Sequence, residues 1–237
     1  REEVIKRAHN IGITKIFEVV CEQNLWNKGV EIAKKDNIFI SFGIHPHEAK
    51  TAVQEDFVKL ENLINNEKCI ALGEIGLDYH YDLSPRQVQK EVFKKQIEIS
   101  IKNKKPIIIH CREAHEDMID ILKQYPTLPK GIIHSFDGSL KQAQIYIDMG
   151  FLIGICSTIT FPKSDEIRQI AAELDISKLL VETDCPYRAP QKFRGKRSEP
   201  AYVIEIIEEL AKVRKMPFSE VENITTQNAL SLFLERK

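Results

Sequence analysis

The stretch Pro106 to Arg112, P-I-I-I-H-C-R, sets three consecutive β-branched apolar residues after a proline and then turns abruptly polar. A strand of that composition has apolar side chains on both faces, so it must be covered on both, which places it in a parallel sheet flanked by helices. Strands of this kind present their functional groups at the C-terminal end, in closed α/β barrels and in open α/β sheets alike. His110, Cys111 and Arg112 occupy that end.

Six other segments share the pattern: Thr14 to Val20, Ile38 to Gly43, Lys68 to Gly73, Gly131 to Phe136, Phe151 to Cys156 and Leu179 to Asp184. Helical stretches separate them, the longest opening at Ser84-Pro85 and running to about Ile101, with proline in the favoured first turn. Alternation of this kind implies βαβ units. A closed barrel needs eight strands, and this chain enters on a helix with Val4, Ile5 and Ala8 on one face. The expected fold is therefore α/β, a TIM (β/α)8-type barrel forming a single domain over residues 1–237, whose first strand lies before residue 1. An open doubly wound sheet is the alternative, but no Gly-rich phosphate loop follows the first visible strand.

Composition narrows the function classes. The 237 residues are 43% hydrophobic, and 34 basic residues against 35 acidic ones give a net charge of -1. Such a balance provides no global field for nucleic acid or membrane, so a charged partner must meet a local patch. Cys21, Cys69, Cys111, Cys156 and Cys185 are scattered without C-x-x-C spacing, as expected of reduced thiols in a cytoplasmic protein. No apolar run approaches the roughly 18 residues of a spanning helix, so a soluble monomer with no membrane partner is expected.

Four strands close on a residue able to bind a metal: Glu74, His110, His134 and Asp184. On one face of a barrel these two imidazoles and two carboxylates would converge on a divalent ion, with Mg, Mn and Zn all compatible with the donor types. Such an ion lowers the pKa of bound water and polarises a phosphoryl or carbonyl oxygen. His45, in G-I-H-P-H, ends the preceding strand within reach of a substrate, whereas His47 reads as a loop or capping residue. Arg112 follows His110 where a guanidinium can fork two phosphate oxygens. The loop from Tyr187 to Glu199 interleaves Arg188, Lys192, Arg194, Lys196 and Arg197 with Tyr187 and Phe193, a composition suited to tracking a phosphate backbone and stacking bases.

At these residues the chain resembles the TatD family of metal-dependent deoxyribonucleases, within the amidohydrolase superfamily. The matching motifs are G-I-H-P-H (43 to 47), G-E-I-G-L-D-Y (73 to 79), H-C-R-E-A (110 to 114), H-S-F-D-G (134 to 138), V-E-T-D-C-P-Y (181 to 187) and G-K-R-S-E-P (195 to 200). The resemblance implies a 3'-5' exonuclease on single-stranded DNA, acting through metal-activated water with one or two divalent ions. By it Glu74 bridges the ions, His110 and His134 complete one site, and Asp184 belongs to the other and orients or deprotonates the water. His45 joins Glu74 and Asp184 among the catalytic residues, and Arg112, His45, Tyr187 and Arg197 contact substrate. Most members carry an H-x-H pair on the first strand, and the one H-x-H here, His45-Pro46-His47, matches a different motif. Two alternatives follow: a metal-dependent D-aminoacyl-tRNA deacylase, with RNA or tRNA as partner, and a catalytically impaired nucleic-acid-binding barrel. Ser198 and Arg188 also depart from the family pattern.

Overall fold

The computed structural model describes residues 1–235, which fall into two compact units. The first comprises Lys15–His134 with the C-terminal residues from Leu232; the second comprises Arg1–Thr14 and Ser135–Ser231.

The first unit holds five strands: β1 (Ile16–Val20), β2 (Ile38–Phe42), β3 (Cys69–Asp78), β4 (Ile107–Arg112) and β5 (Gly131–Ile133). Each pairs in parallel with the next. Their apolar side chains are sealed on both faces: Ile40, Leu72, Ile75, Ile107 and Ile109 are fully buried. Each such side chain contributes about 1.5–3 kcal/mol by leaving water. Helices α2 (Trp26–Ala33), α3 (Gln54–Leu63), α4 (Arg86–Asn103) and α5 (His115–Leu122) connect the strands, and a 3-10 turn over Pro46–Thr51 follows β2. In the second unit β6 (Phe151–Ile155) and β7 (Leu179–Val181) also pair in parallel. They are accompanied by α1 (Glu2–Asn10), α6 (Leu140–Asp148), α7 (Asp165–Glu173), α8 (Val203–Arg214) and most of α9 (Phe218–Phe233).

One strand departs from expectation. The sequence predicts a strand over Lys68 to Gly73, yet β3 runs from Cys69 to Asp78. The ladder with β4 pairs Gly73 with Ile108 and then Ile75 with Ile109, so Glu74 is an inserted residue in a β-bulge. Beyond it Gly76 pairs with His110 at φ +146. A Cβ there would collide with the His110 carbonyl oxygen, so only glycine lets the two strands close. Gly76 is thus the means by which the strand continues past its predicted end.

Helix α4 secures the ends of β2 and β3. Gln89 and Gln96, seven residues apart and hence on one face, are both fully buried. The Gln96 amide accepts from the Ile44 N–H (2.7 Å) and donates to the Ile44 carbonyl (3.1 Å). The Gln89 amide accepts from the Asp78 N–H (2.8 Å) and donates to the carbonyls of Asp78 (3.0 Å) and Ser84 (2.8 Å). Replacing Gln89 by alanine strands buried backbone groups, with an expected cost of about 3 kcal/mol. Urea denaturation measures it, and an unchanged midpoint would show that the clamp adds nothing to stability.

Candidate metal centre

Groups from the C-terminal parts of β3 and β4 and from just after β2 and β5 form a compact polar cluster in the first unit. Gly43 carries the chain from β2 to Ile44, held by Gln96, and His45 follows at the N-terminus of the 3-10 turn. Its Nδ1 accepts the His47 N–H at 3.2 Å, which assigns the ring proton to Nε2. That Nε2 lies 3.8 Å from Glu74 Oε1. Burial disfavours the charged imidazole and pushes His45 down to about 3, against the opposing pull of Glu74, so the ring is neutral at working pH.

Glu74 and Asp78 take hold of one imidazole from both sides. His110 Nδ1 stands 2.6 Å from Glu74 Oε1, and its Nε2 stands 2.9 Å from Asp78 Oδ2. Burial works against the imidazolium, but the Glu74 charge and the hydrogen bonds to Asp78 and Glu74 outweigh it and raise His110 to about 9. Both acids stay ionised for the reciprocal reason. Burial would raise Glu74, yet the charges of His134 and His110 bring it well below the usual carboxylate range. Asp78, also against burial, is held low by the hydrogen bond from His110, by the nearby His47 imidazole and by the Tyr81 N–H, which donates at 2.8 Å.

His134 and His47 complete the cluster. The His134 backbone N–H donates to Ile109 at 2.8 Å, extending the β4–β5 ladder by one residue, and its Nε2 lies 3.8 Å from Glu74 Oε1. His47 Nε2 approaches Asp78 Oδ2 at 3.0 Å, yet off the direction of a hydrogen bond, so this buried nitrogen has no hydrogen-bond partner. The His47 ring also packs edge-on against His45 at 4.3 Å. Nearby, burial and the charge of Glu74 push the Cys21 thiol far up, so it is a neutral neighbour.

These residues fit a divalent ion. Glu74 Oε1 lies 2.6 Å from His110 Nδ1 and 3.8 Å from His134 Nε2, two carboxylates are anionic, and a buried imidazole nitrogen makes no hydrogen bond. Nitrogen with carboxylate oxygen suits Zn, Mn or Fe, and the carboxylates also accept Mg.

Of the residues singled out in the sequence, the first unit brings together Glu74, His110, His134 and His45. Arg112, the last residue of β4, carries its guanidinium over the Tyr81 ring at 4.9 Å. Asp184, Tyr187 and Arg197 belong to the second unit. There Asp184 follows β7 with a left-handed backbone (φ 51), its carbonyl accepts the Tyr187 N–H at 2.9 Å, and Tyr187 and Arg197 are exposed. In the same unit the Ser135 N–H donates to Glu182 at 2.6 Å, and the Ser157 hydroxyl donates to the Arg188 carbonyl. Two members of the cluster, Asp78 and His47, are not among the site residues predicted from the sequence, where His47 reads as a loop or capping residue. The available signal was their place inside two of the quoted motifs.

Comparison with known proteins identifies the family and the fold. The family model for TatD related DNase matches residues 1–234. A Bacillus subtilis relative described as an uncharacterized metal-dependent hydrolase, YabD, is 39% identical over 98% of this chain and 92% of its own. The Salmonella typhimurium protein named 3'-5' ssDNA/RNA exonuclease TatD is 31% identical over 98% of this chain and 92% of its own. The crystal structure of YjjV, a TatD homologue from Escherichia coli, covers 99% of this chain with 92% of its own, at 27% identity and a TM-score of 0.93. That likeness bears out the TIM-type α/β fold read from the alternation of strands and helices. A family match over nearly the full length, joined to a part-buried histidine and carboxylate cluster on the motifs quoted above, makes this chain a member of the TatD-related DNase family.

Proposed function

We propose that the protein is a metal-dependent hydrolase of nucleic-acid phosphodiesters, acting as a 3'-5' exonuclease on single-stranded DNA. The observation that carries this reading is the Glu74, His110 and Asp78 arrangement, in which two anionic carboxylates grip one part-buried imidazole between β3 and β4. The relative named as a 3'-5' ssDNA/RNA exonuclease, which this chain matches over 98% of its length, supports the choice of substrate.

In this reading Glu74, His110 and His134 hold the ion. It would supply Lewis acidity, lowering the pKa of water and polarising a phosphoryl oxygen. The chain's own groups do the rest. Asp78 accepts from His110 Nε2 and so turns Nδ1 toward Glu74, the carboxylate–imidazole pairing that orients metal ligands. His45 is better suited to donate than to ligate: its proton sits on Nε2, burial keeps the ring neutral, and that N–H can meet a phosphate oxygen. Arg112 can fork the same phosphate. The roles given to Asp184 in water activation, and to Tyr187 and Arg197 in substrate contact, rest on the sequence. So do a cytoplasmic location and a monomeric state. Among the described residues, no helix is long and apolar enough to cross a membrane.

Three outcomes test the reading. His134→Ala should lose bound metal and mononucleotide release from 3'-labelled single-stranded DNA supplied with Mg or Mn; full activity and metal content in this variant would refute the ligand assignment. Asp78→Asn should weaken metal affinity by about 10- to 100-fold in a direct titration, because the orientation of His110 is lost. Arg197→Ala should lower the slope of log Kd against log salt for single-stranded DNA by about 0.7, the share of one phosphate contact; an unchanged slope removes Arg197 from the interface.

A further inference from the structure

Tyr81 is an aromatic ring at the edge of the first unit's polar cluster, and more than half of it, 56%, is exposed. A single exposed aromatic is ordinary in itself. This one is tied down on every side. Its backbone N–H donates to Asp78, the carboxylate that also holds His110. Its ring stands edge-on to His47 at 5.5 Å and to His80 at 4.8 Å, and the Arg112 guanidinium lies over it at 4.9 Å. The result is a π-surface with a cation over one face, linked through Asp78 to the proposed metal centre.

A ligand that uses both features carries a flat aromatic group and a negative charge a few ångströms apart. Nucleotides meet that description: the base stacks on the ring while the adjoining phosphate pairs with the guanidinium. We propose that Tyr81, backed by Arg112, forms a stacking subsite for the nucleobase next to the phosphodiester being cleaved. Tyr81 is then a specificity-determining residue, selecting strands with a base at that position over base-free phosphodiesters. The proposal rests on the nuclease reading above and sharpens its substrate class. Stacking is indifferent to base identity, so the subsite would accept all four bases and would admit RNA as readily as DNA.

The test is a thermodynamic cycle on the metal-loaded enzyme. Single-stranded oligodeoxynucleotides carry one abasic residue at each of the last three positions in turn, and wild type is compared with Tyr81→Ala and Tyr81→Trp. At one position the abasic residue should raise KM for wild type by about tenfold while leaving kcat nearly unchanged. Tyr81→Ala should raise KM on the intact strand by a similar factor, and the two changes together should cost no more than either alone. Tyr81→Trp, which keeps a stacking face, should restore the wild-type KM. Additive penalties, or an unchanged KM in Tyr81→Ala, would overturn the subsite and leave the nuclease reading standing. No release by wild type from any strand, with metal bound, would overturn both.

Discussion

Two glutamine amides on one face of α4 hold the chain where it leaves the sheet. A strand that runs past its last ladder partner exposes N–H and C=O groups that must be paired if they are buried. Glutamine can satisfy both with one planar group, as Gln96 does at Ile44 and Gln89 does at Asp78. The seven-residue spacing along a single rigid helix then fixes two strand ends relative to each other. His45 and Asp78, which follow or occupy these ends, inherit that precision.

Within the cluster, charge is balanced by alternation. Two carboxylates this close to each other would repel, and burial alone would neutralise them. Imidazoles placed between and around them reverse the balance: His110 bridges the pair, while His45 and His134 each face the same Glu74 oxygen at 3.8 Å. The cluster is therefore a set of donors whose orientation is set before any cation enters. His45 stands apart within it, because the hydrogen bond its Nδ1 accepts from His47 leaves a proton, not a lone pair, facing the centre.

Much of this was legible from residue order. Buried β-branched runs that end on His or Glu mark strand ends directly, so His45, Glu74, His110 and His134 could be picked out before any coordinates. Asp78 could not, because the predicted strand stops at Gly73, and only the collision a Cβ at Gly76 would suffer explains that glycine as a strand residue. His47 was hidden differently. It belongs to a turn, as expected, but its ring points back at Asp78, a direction that spacing alone does not encode. The α4 clamp left a fainter trace in Gln89 and Gln96, polar residues on the same helix face as Val92, Phe93, Ile97 and Ser100, all buried. A buried stripe interrupted by amides seven apart is a sign that a helix is holding backbone.

The bulge in β3 separates what the sheet needs from what the chemistry needs. Gly73 and Ile75 already face Ile108 and Ile109 in order, and Glu74 is the extra residue between them. Its removal would leave an uninterrupted ladder, so nothing in strand pairing keeps the carboxylate in place. A chain one residue shorter at this point could build a more regular sheet that lacks the carboxylate on which His45, His110 and His134 converge. The one residue that pairing in β3 does not require is what gives those three imidazoles a common acid.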